Sequence, residues 1–324
     1  MNELSQKIVF PEPGSQIAGF WRRLFAFIID CVLLGIVGFI IGLFFYDYLA
    51  DLGGRGRVIG FFIALFYFGI MNSRIYNGQT IGKALVKVRV VGSDGSNLGI
   101  GSSFLRSAVF CLPYFLGGMP LQGAAPNVWI GYLLFLLVFG CGISIIYLFV
   151  FNRTTRQSLH DLVVASYVVK ANAQVEPPSV SIWHGHYAVL ATIIVVSLLG
   201  PLFVPVDFLE SFGSFAALQK EIANDPLIQD VGITANTTWS TGGKGSARHL
   251  SVRVTTRARN TDFESLANRL AKTILDKHPD AASRDVIAVS ISYGYDIGIA
   301  SSWRTMNYVY TPEQWKQRLL AKSA

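Results

Sequence analysis

Asp30 is the only charged residue between Leu24 and Phe45. A run of roughly 20 apolar residues is what a helix needs to cross about 30 Å of hydrocarbon, so the carboxylate sits inside a candidate membrane span. A charge at the centre of such a helix costs on the order of 2.5–3.5 kcal/mol on insertion scales, and it therefore faces a protein interior and takes a partner. Two chemistries fit. Asp30 either holds a cation or proton during transport, or it ties helices together. Arg23 lies seven positions earlier, two turns and about 10 Å along the same helical face, toward the aqueous end. Arg22 points about 100° away from it and is a secondary candidate for the same role. His184 and His186 flank Gly185 and read as interfacial anchors rather than as a metal site. Cys31, Cys111 and Cys141 fall inside apolar runs without a His or Cys neighbour at ligand spacing, and read as small apolar fillers. The expectation is no catalytic set, no metal and no cofactor.

These residues are positioned by elements that composition already places in a bilayer. The 324 residues are 52% hydrophobic and 15% charged, with a mean hydropathy of +0.44, values of an integral membrane protein. The formal charge of +7 is scattered, which suits basic cytoplasmic loops and gives no nucleic-acid footprint. Residues 1–18 carry mixed charge and two prolines, and the apolar run that follows is too long for a signal-peptide core, so the first span is expected to be retained. After a Gly-rich polar loop at 47–57, a second span covers 58–71, a third, short or kinked at Pro113, covers 103–117, and a fourth covers 128–151. A polar linker at 171–182 leads to a fifth span within 183–206, with Trp183 and Tyr187 as interfacial aromatics. Gly38 and Gly42 form a Gly-x-x-x-Gly pair that would let another helix approach the first span.

The loop at 73–106 carries Arg74, Lys83, Lys87, Arg89 and Arg106 against one acid, Asp94, and the positive-inside rule makes it cytoplasmic. Alternation over 84–91, the Asp94-Gly95 break and then Leu98 and Ile100 predict a β-hairpin, with 163–169 able to add a third strand. The segment Gly78-Gln-Thr-Ile-Gly82-Lys83 has too few residues between its glycines for a phosphate loop, and Ala84 stands where a magnesium-holding hydroxyl belongs, so no nucleotide site is expected.

Trp21-Arg-Arg23 with Asp30, the Gly78–Lys83 loop running into Val88-Arg-Val-Val91 and Asp94-Gly95, and Arg156-Gln-Ser-Leu-His-Asp161 resemble the RDD family of small multi-spanning membrane proteins over residues 19–170. The family is named for one arginine and two aspartates. Carried over by position, the resemblance implies Arg23, with Arg22 as the alternative, and Asp30 and Asp161 as a buried charge network or an ion or proton pathway. It also implies cation or proton exchange as an activity. Asp161 lies just past the inner end of the fourth span, at the level expected of Arg23, so an Arg23–Asp161 pair would leave Asp30 deeper and less neutralised. His160 beside it is a secondary candidate, read as a capping or surface residue.

Residues 207–324 have the composition of a soluble domain. A helix at 212–224, strands at 228–239 and 249–257, an amphipathic helix at 262–277, strands at 286–293 and 301–310 and a last helix capped by Thr311 and opened by Pro312 suggest an antiparallel sheet with helices on one face. The fold expected is thus a membrane all-α bundle of about five spans with a small cytoplasmic β-hairpin, joined to a soluble C-terminal α+β domain. Its place is the inner (cell) membrane, multi-pass, N-terminus cytoplasmic and the 207–324 domain external. Two functions stand: a transporter of small cations or protons, or a non-transporting anchor or assembly factor whose external domain binds an envelope protein. Lipid is the one partner common to both.

Overall fold

The computed structural model describes residues 16–118, 128–172, 181–203, 206–239 and 246–321. The N-terminal tail expected at 1–18 and the linker expected at 171–182 lie mostly outside the described residues, and the link at 119–126, expected to turn on the outer side between the third and fourth spans, lies wholly outside them. The described chain packs as two units: 16–37, 58–118 and 128–201 form the first, and 38–57 with 202–321 form the second.

The first unit is built on apolar helices. Helix α1 (Phe20–Leu52) starts it, and α2 (Arg57–Met71) follows a 3-10 turn at Gly53–Gly56. The stretch expected as an open polar loop at 47–57 is therefore helical over most of its length. The helix direction breaks instead at Phe45, whose φ of −123° and ψ of 26° leave the α region. A one-turn helix α3 (Ile81–Leu85) precedes strand β1 (Val88–Gly92). Helix α4 (Ile100–Leu116) contains Pro113, which sits in the last turn, where Gly117 N–H still bonds its carbonyl at 3.1 Å. The next apolar run forms α5 (Val128–Phe135), a π turn (Leu136–Cys141) and α6 (Gly142–Phe151). The short helix α7 (Leu159–Val163), strand β2 (Ser166–Lys170) and helix α8 (His184–Leu199) complete the unit. By length and composition two helical segments can cross a bilayer, Phe20–Met71 and Trp129–Phe151, while Ile100–Leu116 and His184–Leu199 are shorter apolar helices.

The expected β-hairpin is corrected. Strand β1 pairs antiparallel with β2, Val90 opposite Val168, and not with residues around Leu98. The Asp94-Gly95 turn does close, Gly92 N–H bonding Ser96 C=O at 2.8 Å, but Leu98 then gives its carbonyl to Arg74 N–H and the chain enters α4. The turn was read correctly and its second arm was not. Gln16 and Ala18 bond the free edge of β2, and Ala18, Val88, Val90, Leu98 and Val168 bury a small apolar core.

The second unit carries helix α9 (Val206–Ala223), strands β3 (Ile228–Trp239) and β4 (Ser246–Thr256), helix α10 (Phe263–Lys277), strands β5 (Val286–Asp296) and β6 (Ser301–Tyr310), and helix α11 (Pro312–Ala321). Sheet order follows the chain, β3-β4-β5-β6, but β4 and β5 run parallel, so the sheet is mixed where an all-antiparallel one was expected. The cause is α10: a crossover helix returns the chain to the end where β4 began, which a tight turn cannot do. Leu250, Val252, Val254, Ile287, Val289 and Ile291 pack their buried face against Phe215, Leu266, Ile274 and Trp315 of the helices. Asp262 caps α10 at Glu264 and Ser265 N–H, and Thr311 with Gln314 forms the reciprocal cap of α11.

The glycine pair of α1 does not receive a helix. A Cβ on Gly38 would lie 2.8 Å from Ala300 Cβ, and one on Gly42 would run into the Tyr295 hydroxyl. The β5–β6 turn occupies that groove. Around it Tyr293 donates to Asp47 at 3.0 Å, Arg57 donates to Asp296 at 2.8 Å, and the Gln229 amide bonds Asp51 C=O.

Candidate functional site

Two buried carboxylates organise the first unit. Asp30 is 1% exposed. Its Oδ1 accepts from Tyr67 O–H at 2.6 Å and from Gly82 N–H at 2.8 Å, and its Oδ2 accepts from Thr80 O–H at 2.6 Å. The sequence around Thr80 explains the cradle. Gly78, at φ +70°, lies against β1: a Cβ there would strike Val90 C=O, and its own carbonyl accepts from Val90 N–H at 2.9 Å. Thr80 is the N-cap of α3, accepting from Lys83 N–H at 3.2 Å while donating to Asp30. A Cβ on Gly82 would overlap Ala26 C=O and stand 2.9 Å from Asp30 Oδ1, so only glycine lets the α3 backbone reach the carboxylate. The loop rejected as a phosphate binder is thus an internal carboxylate binder.

Asp161 is fully buried. Arg23 Nη2 donates to its Oδ2 at 2.7 Å, and Arg106 donates to its Oδ1 through Nη2 at 2.6 Å and Nε at 3.0 Å. Asp161 also closes a capping box, its Oδ2 accepting from Ser158 N–H at 3.0 Å at the start of α7. Burial pushes the Asp161 carboxyl up, but the Arg106 and Arg23 guanidinium charges outweigh it and hold the group well below the usual carboxylate range. Arg22 is exposed, so of the two adjacent arginines the structure brings only Arg23 to the aspartate.

His160 is buried edge-on against Phe110, with Nε2 3.6 Å from Asp161 Oδ1 and no hydrogen bond at Nδ1 among the described residues. Burial, with the neighbouring arginines and Lys83, lowers it to about 3, so it is neutral at physiological pH. It is a core residue, where a capping or surface residue was expected. Lys83 reaches inward from α3, and Nζ donates to Asn72 Oδ1 at 2.5 Å. Part of its stem meets the surface while its amine is enclosed. Burial and Arg106 lower it to about 7 against the attraction of Asp30 and Asp161.

Sequence reasoning missed Arg106, Tyr67 and Lys83. Arg106 was counted among loop charges, although an arginine followed directly by an apolar helix carries the same signal that singled out Asp30. Tyr67 is the only hydroxyl in its apolar run. Lys83 stood inside the quoted glycine loop. His186, by contrast, bonds Tyr147 O–H at 3.0 Å through Nδ1 at the start of α8. Among the described residues no group of three or more His, Cys, Asp or Glu is placed to hold a metal.

An apolar helical unit that turns its charges inward and its Phe, Ile and Leu side chains outward is that of a membrane protein. Residues 17–165 match the model of the RDD family, in line with the resemblance read over residues 19–170. The chain is also similar to "Uncharacterized protein YckC" of Bacillus subtilis (strain 168), 25% identical over 154 residues, 48% of this chain and 85% of that protein. No solved structure matches the chain.

Proposed function

We propose that this chain is a non-transporting membrane anchor whose RDD-like segment, residues 19–170, presents the α+β domain at 207–324 to a protein partner in the envelope. In this reading the chain crosses the inner (cell) membrane about five times, α1, α2, α4, α5–α6 and α8 being the spans, with the basic 73–106 loop cytoplasmic and the C-terminal domain external. One observation carries it. Each oxygen of Asp30 and of Asp161 already accepts from an internal donor. A cation site needs oxygen acceptors around the ion, whereas Asp30 is faced by two hydroxyl donors and a backbone N–H. A carried proton would have to point an acid O–H at those same donors. The charges instead tie α3 to α1 and α2, and α7 to α1 and α4. A binding role for the domain is supported by the sheet face away from its helices, where Arg253, Trp303 and Val309 are exposed.

The test is flux through the purified full chain in liposomes, with a proton gradient and then with sodium and potassium gradients. The anchor reading expects no flux above empty liposomes. Flux in the parent that Asp30→Asn abolishes, with folding intact, overturns it and restores the carrier.

A further inference from the structure

From the seat of the β5–β6 turn on α1 we infer that the tip of this turn, Ile297–Ala300, is inserted in the outer leaflet of the bilayer, so that the C-terminal domain is held to lipid as well as to the first span. The inference rests on the reading of α1 as a span. Gly38 is 14 residues past Leu24, about 21 Å along the helix, which is some 9 Å short of the far edge of a 30 Å hydrocarbon core. Ala300 and Ile299 lie against Gly38, so the turn sits at that depth. On one flank of the Gly38–Gly42 stripe α1 shows Phe39 at 61% and Leu43 at 66% exposure, side chains that face lipid in a span and make the turn continuous with a lipid-facing surface.

The turn is made for that place. Between Asp296 and Ser301 every residue is Ile, Gly or Ala. Irregular backbone at membrane depth is tolerated only when its polar groups are satisfied within the protein. Here Ile297 N–H bonds Ala300 C=O at 3.0 Å, and Gly298 N–H bonds Asp296 Oδ1 at 2.6 Å. Gly298, at φ +77°, makes this tight closure possible. Just above the tip come the groups that mark a membrane–water interface: Tyr46 packs its ring against Tyr293 and Tyr295, and Arg57 pairs with Asp296.

The experiment uses the full chain with its three cysteines replaced by Ser or Ala and one environment-sensitive fluorophore on a new cysteine. It is reconstituted in phosphatidylethanolamine–phosphatidylglycerol vesicles containing lipid spin-labelled at mid-chain. Three sites are compared: Ile299→Cys at the tip, Leu43→Cys on α1, and Lys272→Cys on the exposed side of α10. The inference expects quenching by the labelled lipid at 299 and 43, several-fold above that at 272, with aqueous iodide showing the reverse. Quenching at 43 but not at 299 overturns the inserted turn and leaves the span. Quenching at neither site overturns the span reading and the inference with it. Should Ile299→Cys fail to fold, Ser301→Cys, exposed and next to the tip, carries the same comparison.

Discussion

Replacing Asp161 by Asn tests the ionic centre most directly. The substitution keeps size and one acceptor, so the Ser158 cap survives in part, but it removes the only negative charge within 4 Å of Arg23 and Arg106 among the described residues. Both guanidinium groups are enclosed, with side chains 8% and 7% exposed. Removing one partner of a buried pair costs about 3–5 kcal/mol, because the other charge stays buried without compensation. Here two cations are stranded, and we expect a loss of about 4 kcal/mol or more, equivalent to roughly 8–16 °C in melting temperature for a unit of this size. The readout is thiol labelling of Cys111 during a thermal ramp in nanodiscs, on a background of Cys31→Ser and Cys141→Ala. Cys111 is 3% exposed on α4 and reports the first unit without interference from the C-terminal domain. Adding Arg23→Gln and Arg106→Gln should recover most of the loss, since a neutral set of similar volume is often as stable as a buried ion cluster. A single variant that melts within 2 °C of its parent, or a triple variant no better than the single, would refute the assignment of Asp161 as the charge that holds both arginines.

Asp30→Asn should destabilise by roughly 2–3 kcal/mol, because an amide facing Tyr67, Thr80 and Gly82 gives up at least one charge-assisted bond and turns its own N–H toward a donor; adding Arg23→Gln must not rescue it, as Arg23 pairs with Asp161, and rescue in the same thiol-labelling melt would overturn this geometry. Gly82→Ala should lose the α3 dock through overlap with Ala26 C=O, and Gly78→Ser should be disruptive too, through overlap with Val90 C=O at a positive φ; increased proteolysis at 79–87 would report both. His160 is held near 3 in the fold against about 6.5 unfolded. Between those pH values the unfolded chain binds the extra proton, so stability should fall by up to about 1.4 kcal/mol per unit below pH 6.5. His160→Gln should flatten that slope in melts taken from pH 7 to pH 4. Lys83, lowered to about 7, acts with the same sign in a higher window: the fold should gain stability as pH rises from 7 toward 10, and Lys83→Met should remove the gain.

Some of this protein was fixed by residue order alone. An uncharged apolar run around Asp30 commits α1 to an apolar environment and the carboxylate to an interior, whatever packs on it. Period and caps placed α10, α11 and the strand at 301–310 almost to the residue, because Asp262, Thr311 and Pro312 act on backbone groups within a few positions of themselves. The lone charge in an apolar run singled out Asp30, and the family resemblance added Arg23 and Asp161. Which donor meets which carboxylate was beyond it, since Arg106 lies 55 positions from Asp161 and Thr80 lies 50 from Asp30, and those meetings are set by how whole helices pack. The same holds for β1: the stretch at Leu98 was expected as its neighbour and 163–169 as a third strand, and β2, more than 70 positions on and within reach of that third-strand reading, is the direct partner. The parallel β4–β5 pair and the turn seated on Gly38 and Gly42 follow the same rule. Local backbone preference is written in neighbouring residues, while a long-range contact is chosen by the packing energy of surfaces that exist only once the chain has folded.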